Sequence, residues 1–338
     1  MKNFLITRRF RTVKIYGNIL WQGRFEKGTL VIKEGYVEDF RRERDYDIRG
    51  TVIPTFINMH THIGDFCAQD EPRGGIAEIV GPGGYKYRVL RSRRKVYWGM
   101  RRAMRYMQME GISHFVDFRE GGDKGVELLL KASRGFKIKP IIFARNINPE
   151  SLGVGLSSIS DYDRDFIIKM VRYARKEGKL FAIHVSERVR EDIDFVLSLN
   201  PSFIVHMLEA TDEDLRKVGK RGVPVVITPR SNLFFGKIPN IPRLLKYGIT
   251  LALGTDNGMF SLPSMFREME IAYKLSMIYG HVSPEEILKM ATENPRKILG
   301  MVDNQIGGKA RFIVFRRLIT PYELVNKSSP ADIKRIVF

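Results

Sequence analysis

The sequence predicts an α/β protein: a (β/α)8 TIM barrel over residues 51–306, with a small composite β-sandwich domain built from residues 1–50 and 307–338. Three observations carry this. From residue 51 onward, short β-branched runs alternate with segments of helical period, the pattern of a parallel sheet with helices packed on it. Before that point no helical period exists. Runs such as Val13–Gly17 and Gly28–Val37 read instead as short strands with glycine turns, and the chain returns to such runs (Phe312–Phe315) after Gly307. Finally, histidines and an aspartate recur at the ends of the barrel strands. In such a fold the reactive residues gather at the carboxyl ends of the strands.

Taken in order, the first barrel strand is expected at about 51–58, within Thr51-Val52-Ile53-Pro54-Thr55-Phe56-Ile57-Asn58. A long loop follows, through Gly74-Gly75 and Gly81-Pro82-Gly83-Gly84, and then a basic helix to about Met109. The second strand is Ile112–Phe118, with a helix near 123–133. The third is Ile138–Ala144 and the fourth Leu152–Ser157. The helix after Ser160-Asp161 places Phe166, Ile167, Met170, Val171 and Ala174 on one apolar face. The remaining strands are Leu180–His184, Ser202–His206, Val223–Thr228 and Ile249–Thr255. A helix from about Leu262 follows, with Met265, Phe266, Met269, Ala272 and Tyr273 on one stripe, and a short helix begins near Thr292–Pro295.

Composition narrows the class. In 338 residues, 43% are hydrophobic, enough for a sizeable core, and no stretch approaches the length of a membrane span. Met1–Arg9 has too short an apolar run for a signal peptide. The single cysteine, Cys67, excludes an intramolecular disulfide and suits a reducing cytoplasm; it reads as a small packed residue rather than a nucleophile. The net charge of +19 suits an acidic partner, but a solvated basic surface accounts for most of it.

The chemistry centres on Phe56-Ile57-Asn58-Met59-His60-Thr61-His62. Residues i and i+2 of a strand share a face, so His60 and His62 project together, as two nitrogen ligands for one divalent metal would. Strand 5 ends at His184, strand 6 at His206, and Asp256 follows strand 8. Of the six histidines in the chain, four stand at these places, which favours a shared metal over scattered core histidines. The other two have ordinary explanations: His114 opens strand 2 at the end away from the site, and His281 follows Gly280 in a loop.

These motifs resemble the amidohydrolase superfamily. Thr51–His62 resembles its opening Pro-Gly-Phe-x-Asn-x-His-x-His, with Thr55 in place of the glycine. His184-Val185-Ser186-Glu187 is similar to the His-x-x-Glu of the deaminase and chlorohydrolase branch, which includes nucleobase, guanine and adenosylhomocysteine deaminases. Thr228-Pro229-Arg230-Ser231-Asn232 resembles that branch's Cys-Pro-x-Ser-Asn, and Gly254-Thr255-Asp256 its Gly-Thr-Asp. The closing Lys309-Ala310-Arg311 lacks the branch's aspartate. The resemblance implies a metal held by His60, His62, His184 and Asp256, with His206 beside the substrate. It implies catalytic roles for Glu187, His206 and Asp256. Glu187 would carry protons and Asp256 would accept one, while His206 would polarise a developing oxyanion. Strand 4 holds no lysine to bridge two ions, so one divalent ion is expected: zinc, with iron or another transition metal as alternatives.

The expected reaction is hydrolytic deamination of an aminated heterocycle (purine, pyrimidine, pterin or nucleoside-like) by a metal-activated water. The alternative is hydrolysis of another carbon–nitrogen bond, as in a cyclic amide, or of a carbon–halogen bond. A non-catalytic nucleic-acid-binding relative ranks behind both. Arg119, Arg145 and Asn232 follow strands 2, 3 and 7 and are placed to bind substrate, with rim ion pairs or loop hydrogen bonds as the structural reading. Residues 81–109 hold nine basic residues, Lys86 among them, and no acid. They read as an exposed helix face, with contact to a substrate phosphate or carboxylate as the alternative. The expected partner is a small molecule, with an anionic one among the options, and neither membrane nor nucleic acid; a homo-oligomer is compatible with the sequence.

Overall fold

The computed structural model describes residues 12–81 and 83–338; the readings made for Met1–Arg9 and for Pro82 lie outside the described residues. The chain opens with β1 (Thr12–Trp21), β2 (Arg24–Lys33), β3 (Tyr36–Arg41) and β4 (Ile48–Pro54). The two hairpins turn on Gln22-Gly23 and Glu34-Gly35, and all four residues have positive φ. That backbone matches the twist of antiparallel strands, and glycine adopts it without a Cβ clash.

The larger sheet follows: β5 (Phe56–His62), β6 (Ile112–Arg119), β7 (Lys139–Ala144), β8 (Gly153–Leu156), β9 (Leu180–Val185), β10 (Phe203–His206), β11 (Val225–Ile227), β12 (Leu251–Leu253) and β13 (Asp256–Asn257). The chain ends with β14 (Phe312–Phe315) and β15 (Ile333–Val337). From β5 to β12 each strand pairs in parallel with the next. Directly after β12, β13 pairs in parallel with β5, which brings the two edges of the sheet together as in a TIM-barrel-like fold. Alternate side chains, among them Ile57, Met59, Val116, Phe118, Phe143, Phe203 and Val205, fill the interior. The outward set packs beneath the helices, as period-2 strands buried on both faces require. Among the described residues no helix is long and apolar enough to cross a membrane.

Several expectations are corrected. The stretch read as one strand at 51–58 is two. Pro54 has no N–H to continue a ladder, and the chain changes partner there: Thr55 N donates to Arg311 O at 2.9 Å, and Phe56 N to Gly111 O at 3.1 Å. Residues up to Pro54 lie in the smaller sheet, whose order is β15-β14-β4-β1-β2-β3. Strands from both ends of the chain thus join one continuous six-stranded sheet instead of the two facing sheets of a sandwich, because β1 pairs on both edges, with β2 and β4. Phe166 is 36% exposed and stacks on Tyr162, while Ile167, Met170, Val171 and Ala174 of its helix (Arg164–Lys176) are buried.

Candidate metal centre and active site

His60 and His62 lie on β5, His184 on β9, His206 at the last position of β10 and Asp256 at the first of β13. Their rings face one another closely: centroids are 4.9 Å apart for His60–His62, 4.7 Å for His60–His184 and 5.0 Å for His184–His206. Asp256 Oδ1 lies 3.4 Å from His60 Nε2 and 3.5 Å from His62 Nε2. Donor atoms of His60, His62 and His184 all fall within 4.8 Å of one another, as do those of His60, His206 and Asp256. Ser186, His206, Met207 and Asp256 all have φ between 51° and 81°. Such backbone costs of order 1–3 kcal/mol for a residue other than glycine. Four such residues, at the ends of the adjacent strands β9 and β10 and at the start of β13, mark the place where the fold aims side chains inward.

The motifs lock one another in position. Asn58, two residues before His60, donates from Nδ2 to Thr255 Oγ1 at 2.7 Å and accepts from Thr255 N at 3.0 Å. That pair ties β5 to the segment carrying Asp256. Gly254 lies against His60; a Cβ there would come within 2.6 Å of the His60 Cβ, so the close approach requires glycine. Ser231 Oγ donates to Asp256 Oδ2 at 2.6 Å, and Asn257 Nδ2 to Asp256 Oδ1 at 2.9 Å. His206 Nδ1 lies 3.3 Å from Thr228 Oγ1 and 3.5 Å from Asn232 Nδ2. His62 Nδ1 lies 3.0 Å from Phe118 O and 2.7 Å from Glu120 Oε1. Donation from Nδ1 to either oxygen leaves Nε2 as the lone-pair nitrogen, the usual arrangement behind a metal-bound imidazole.

The electrostatics suit the same use. Burial, reinforced by the positive Lys86, pushes the His62 imidazolium down to about 3, and burial does the same to His206. Burial and the neighbouring imidazoles hold His184 well below its usual value. These rings are therefore neutral at physiological pH, the form in which an imidazole can bind a metal or donate one hydrogen bond. Burial alone would raise the Asp256 carboxyl, but its contact with His60 and the surrounding imidazoles outweigh burial and keep it ionised. Glu187 behaves oppositely: burial, and then the negative Asp256, raise its carboxyl to about 8, so it carries a proton near neutrality. Its Oε1 lies 3.6 Å from His206 Nε2.

Both ring nitrogens of His60 and the Nε2 atoms of His184 and His206 are buried without a hydrogen-bond partner. Leaving several buried polar atoms unpaired is costly. Imidazoles and one carboxylate whose donor atoms fall in overlapping groups of three, each within 4.8 Å, fit a divalent transition metal.

A cavity of about 260 Å³ opens onto this cluster, lined by His62, His184, His206 and Asp256 together with Glu187, Lys86 and Arg145. Glu187 sits in the bend after β9, well before the helix at Ile193–Ser198, so it is not a helix-terminal acid. Arg145 lines the cavity, but Arg119 and Asn232 do not. The Arg119 guanidinium is buried beneath it, 3.0 Å from Asp117 Oδ1 and 2.6 Å from Glu120 Oε2, which is the ion-pair role. Asn232 is buried beside His206. In the basic stretch Arg88, Arg91, Arg93, Arg94, Lys95, Arg102 and Arg105 are exposed. Lys86 departs from the exposed-face reading: it is 3% exposed, with Nζ 2.5 Å from Glu120 Oε1. Sequence reasoning gave no role to Ser231 and none to Glu120 as the partner of His62. The Ser-Asn of the 228–232 motif was the available signal for the first; nothing local signalled the second. Cys67 is half-buried, its Sγ 3.4 Å from Gly64 O.

The family model for the amidohydrolase family matches residues 51–158 and 154–331. The chain is 32% identical over 332 residues to an Archaeoglobus fulgidus protein whose name places it among the aminohydrolases, covering 96% of this chain and 97% of that one. The chain belongs to the amidohydrolase family and is a hydrolase acting on carbon–nitrogen bonds. More distantly, it is 28% identical over 302 residues to the 5-methylthioadenosine/S-adenosylhomocysteine deaminase of Pyrococcus abyssi, covering 75% of this chain and 70% of that one. In structure it is similar to a zinc-bound adenosine deaminase from Xanthomonas campestris, with a TM-score of 0.73, 14% identity, and coverage of 96% of this chain and 90% of that one.

Proposed function

We propose that this protein is a mononuclear metal-dependent deaminase that replaces an amino group of a heterocycle by oxygen. The observation that carries the reading is the opposite charge state of two carboxyl groups on one cavity. Asp256 is ionised against the imidazole cluster, and Glu187 is protonated beside His206. Environments that push two titratable groups apart assign one as base and the other as acid.

In this reading His60, His62, His184 and Asp256 hold one ion, zinc by the chemistry of the donors and by likeness to the zinc-bound relative. When bound, the ion supplies Lewis acidity and lowers the pKa of water toward neutrality. Asp256 accepts the proton released from water. Glu187 donates its proton to a ring nitrogen and regains one from the added hydroxyl as that becomes a carbonyl, while the proton held by Asp256 goes to the amino group that leaves as ammonia. His206, with Nδ1 held by Thr228 and Asn232, directs Nε2 at the developing negative oxygen. β8 holds no lysine, which supports one ion over two. The same reading takes the larger sheet as a (β/α)8 barrel and the smaller as one domain formed by both chain ends. The lone cysteine supports a cytoplasmic setting.

The test is ammonia release from aminopurines, aminopyrimidines, pterins and their nucleosides, with metal-loaded protein and His184→Ala as control. Release that disappears in the control supports deamination. Metal binding with no ammonia from any of them counts against it.

A further inference from the structure

We propose that Lys86 and Arg145 form a subsite for an anionic oxygen group, carboxylate or phosphate, on a compact substrate. This rests on the reading of the cavity as the reaction site, and adds the class of molecule that fits it.

The argument begins with charge. Both side chains line the cavity. Lys86 is buried, and the Arg145 side chain is 19% exposed. The carboxylate contacts of the two cations both fall on a single atom, Glu120 Oε1, at 2.5 Å from Lys86 Nζ and 3.7 Å from Arg145 Nη2. Glu120 also receives Arg119 at Oε2 and the His62 imidazole at Oε1. One carboxylate therefore contacts three permanent cations; Asp117 pairs with Arg119, and the buried Asp65 lies in the field of Lys86 and Arg119, so among the described residues Arg145 has no carboxylate nearer than Glu120. Of the other acids that line the cavity, Asp256 and Glu187 face the imidazole cluster, Glu191 accepts from Ser158, Ser160 and the Ser186 backbone, and Asp161 pairs with Arg188. Arg145 is thus left without a close carboxylate of its own, and a largely buried cation costs free energy unless an anion joins it.

Donor capacity agrees. At 3.7 Å Arg145 is beyond hydrogen-bonding distance of Glu120, and its Nε is buried without a hydrogen-bond partner. The Lys86 ammonium has three donors, and its ion pair is with the single atom Glu120 Oε1. A planar guanidinium and an ammonium facing the same space are a common means of holding a carboxylate or phosphate.

Position sets the size. Glu120 Oε1 touches both Lys86 Nζ and, at 2.7 Å, Nδ1 of His62. The cation is thus one carboxylate oxygen away from a residue of the reacting centre. A group held there belongs on the heterocycle or a bond or two from it. The end of a long nucleoside chain does not fit this spacing.

The test is isothermal titration calorimetry of the metal-loaded protein with inorganic phosphate and, separately, acetate; neither can be deaminated. Saturable binding of one of them, weakened tenfold or more in Arg145→Met at unchanged metal content and unfolding temperature, supports the subsite and shows whether phosphate or carboxylate is its ligand. Lys86→Met, read the same way, is the second variant. Equal binding by the wild type and Arg145→Met, as for an anion sitting on the metal, overturns it, as does the absence of saturable binding of both. Binding that depends on Arg145 without ammonia release from any heterocycle would leave the subsite standing and sink deamination. Ammonia release with no such binding would do the reverse.

Discussion

The cavity has two walls of different origin. One carries His62, His184, His206 and Asp256, with His60 buried behind them, at the ends of barrel strands where pairing with neighbours fixes each backbone. The other carries Lys86, Arg145 and Arg188 on the segments that follow strands. On the first wall, side chains are held twice over, by strand register and by hydrogen bonds between motifs such as Asn58 to Thr255 and Ser231 to Asp256. On the second wall, charge takes the place of register: Glu120 gathers Lys86, Arg119 and Arg145 around one carboxylate. Register and hydrogen bonds fix the side chains of the strand wall, whereas ion pairs hold those of the loop wall.

Substitutions should separate the two. The largest effect is expected for His184→Ala, which removes a ligand from the strand wall; ammonia release should fall about 10⁴-fold or more, measured with saturating metal. Glu187→Gln keeps the size and removes the proton. It should lower kcat by about 10²–10³-fold while metal content stays at the wild-type level. A fall in both together would make Glu187 a structural part of the centre. Ser231→Ala loosens Asp256 without touching the donors and should cost about 10–100-fold in activity or metal affinity. Arg145→Met is expected to raise KM for anionic substrates and leave neutral ones unchanged, which sharpens the division between the walls.

The smallest effect concerns pH. Burial and Asp256 raise the Glu187 carboxyl to about 8. The protonated form is the acid, so kcat/KM should hold below that pH and decline above it, about tenfold for each unit. The alkaline limb should be missing from the residual activity of Glu187→Gln.

The division also explains what could be read from the sequence. His60 and His62 were legible because a strand repeats every two residues and their shared face follows from spacing alone. His184, His206 and Asp256 were legible because each follows an apolar run. The alternation of such runs with helical segments gave the order of the parallel strands. Lys86 was not legible as a cavity residue. It lies on a five-residue helix, Tyr85–Val89, between glycines and a string of exposed arginines, and no periodicity sets it apart. For Arg119 the sequence leaves a substrate contact and an ion pair both open, and the structure shows ion pairs with Asp117 and Glu120, two residues before it and one after. The change of sheet at Thr55 was hidden by unbroken apolar character on both sides of it. There the partners that decide, Arg311 and Gly111, are far away in sequence.

The central claim is that the strand wall is a site for one metal ion. Elemental mass spectrometry of the purified wild type, His184→Ala and Glu187→Gln tests it most directly. The account expects one ion per chain in the wild type and in Glu187→Gln, and a substantial loss in His184→Ala. Two ions per chain, or His184→Ala retaining the wild-type content, would contradict it.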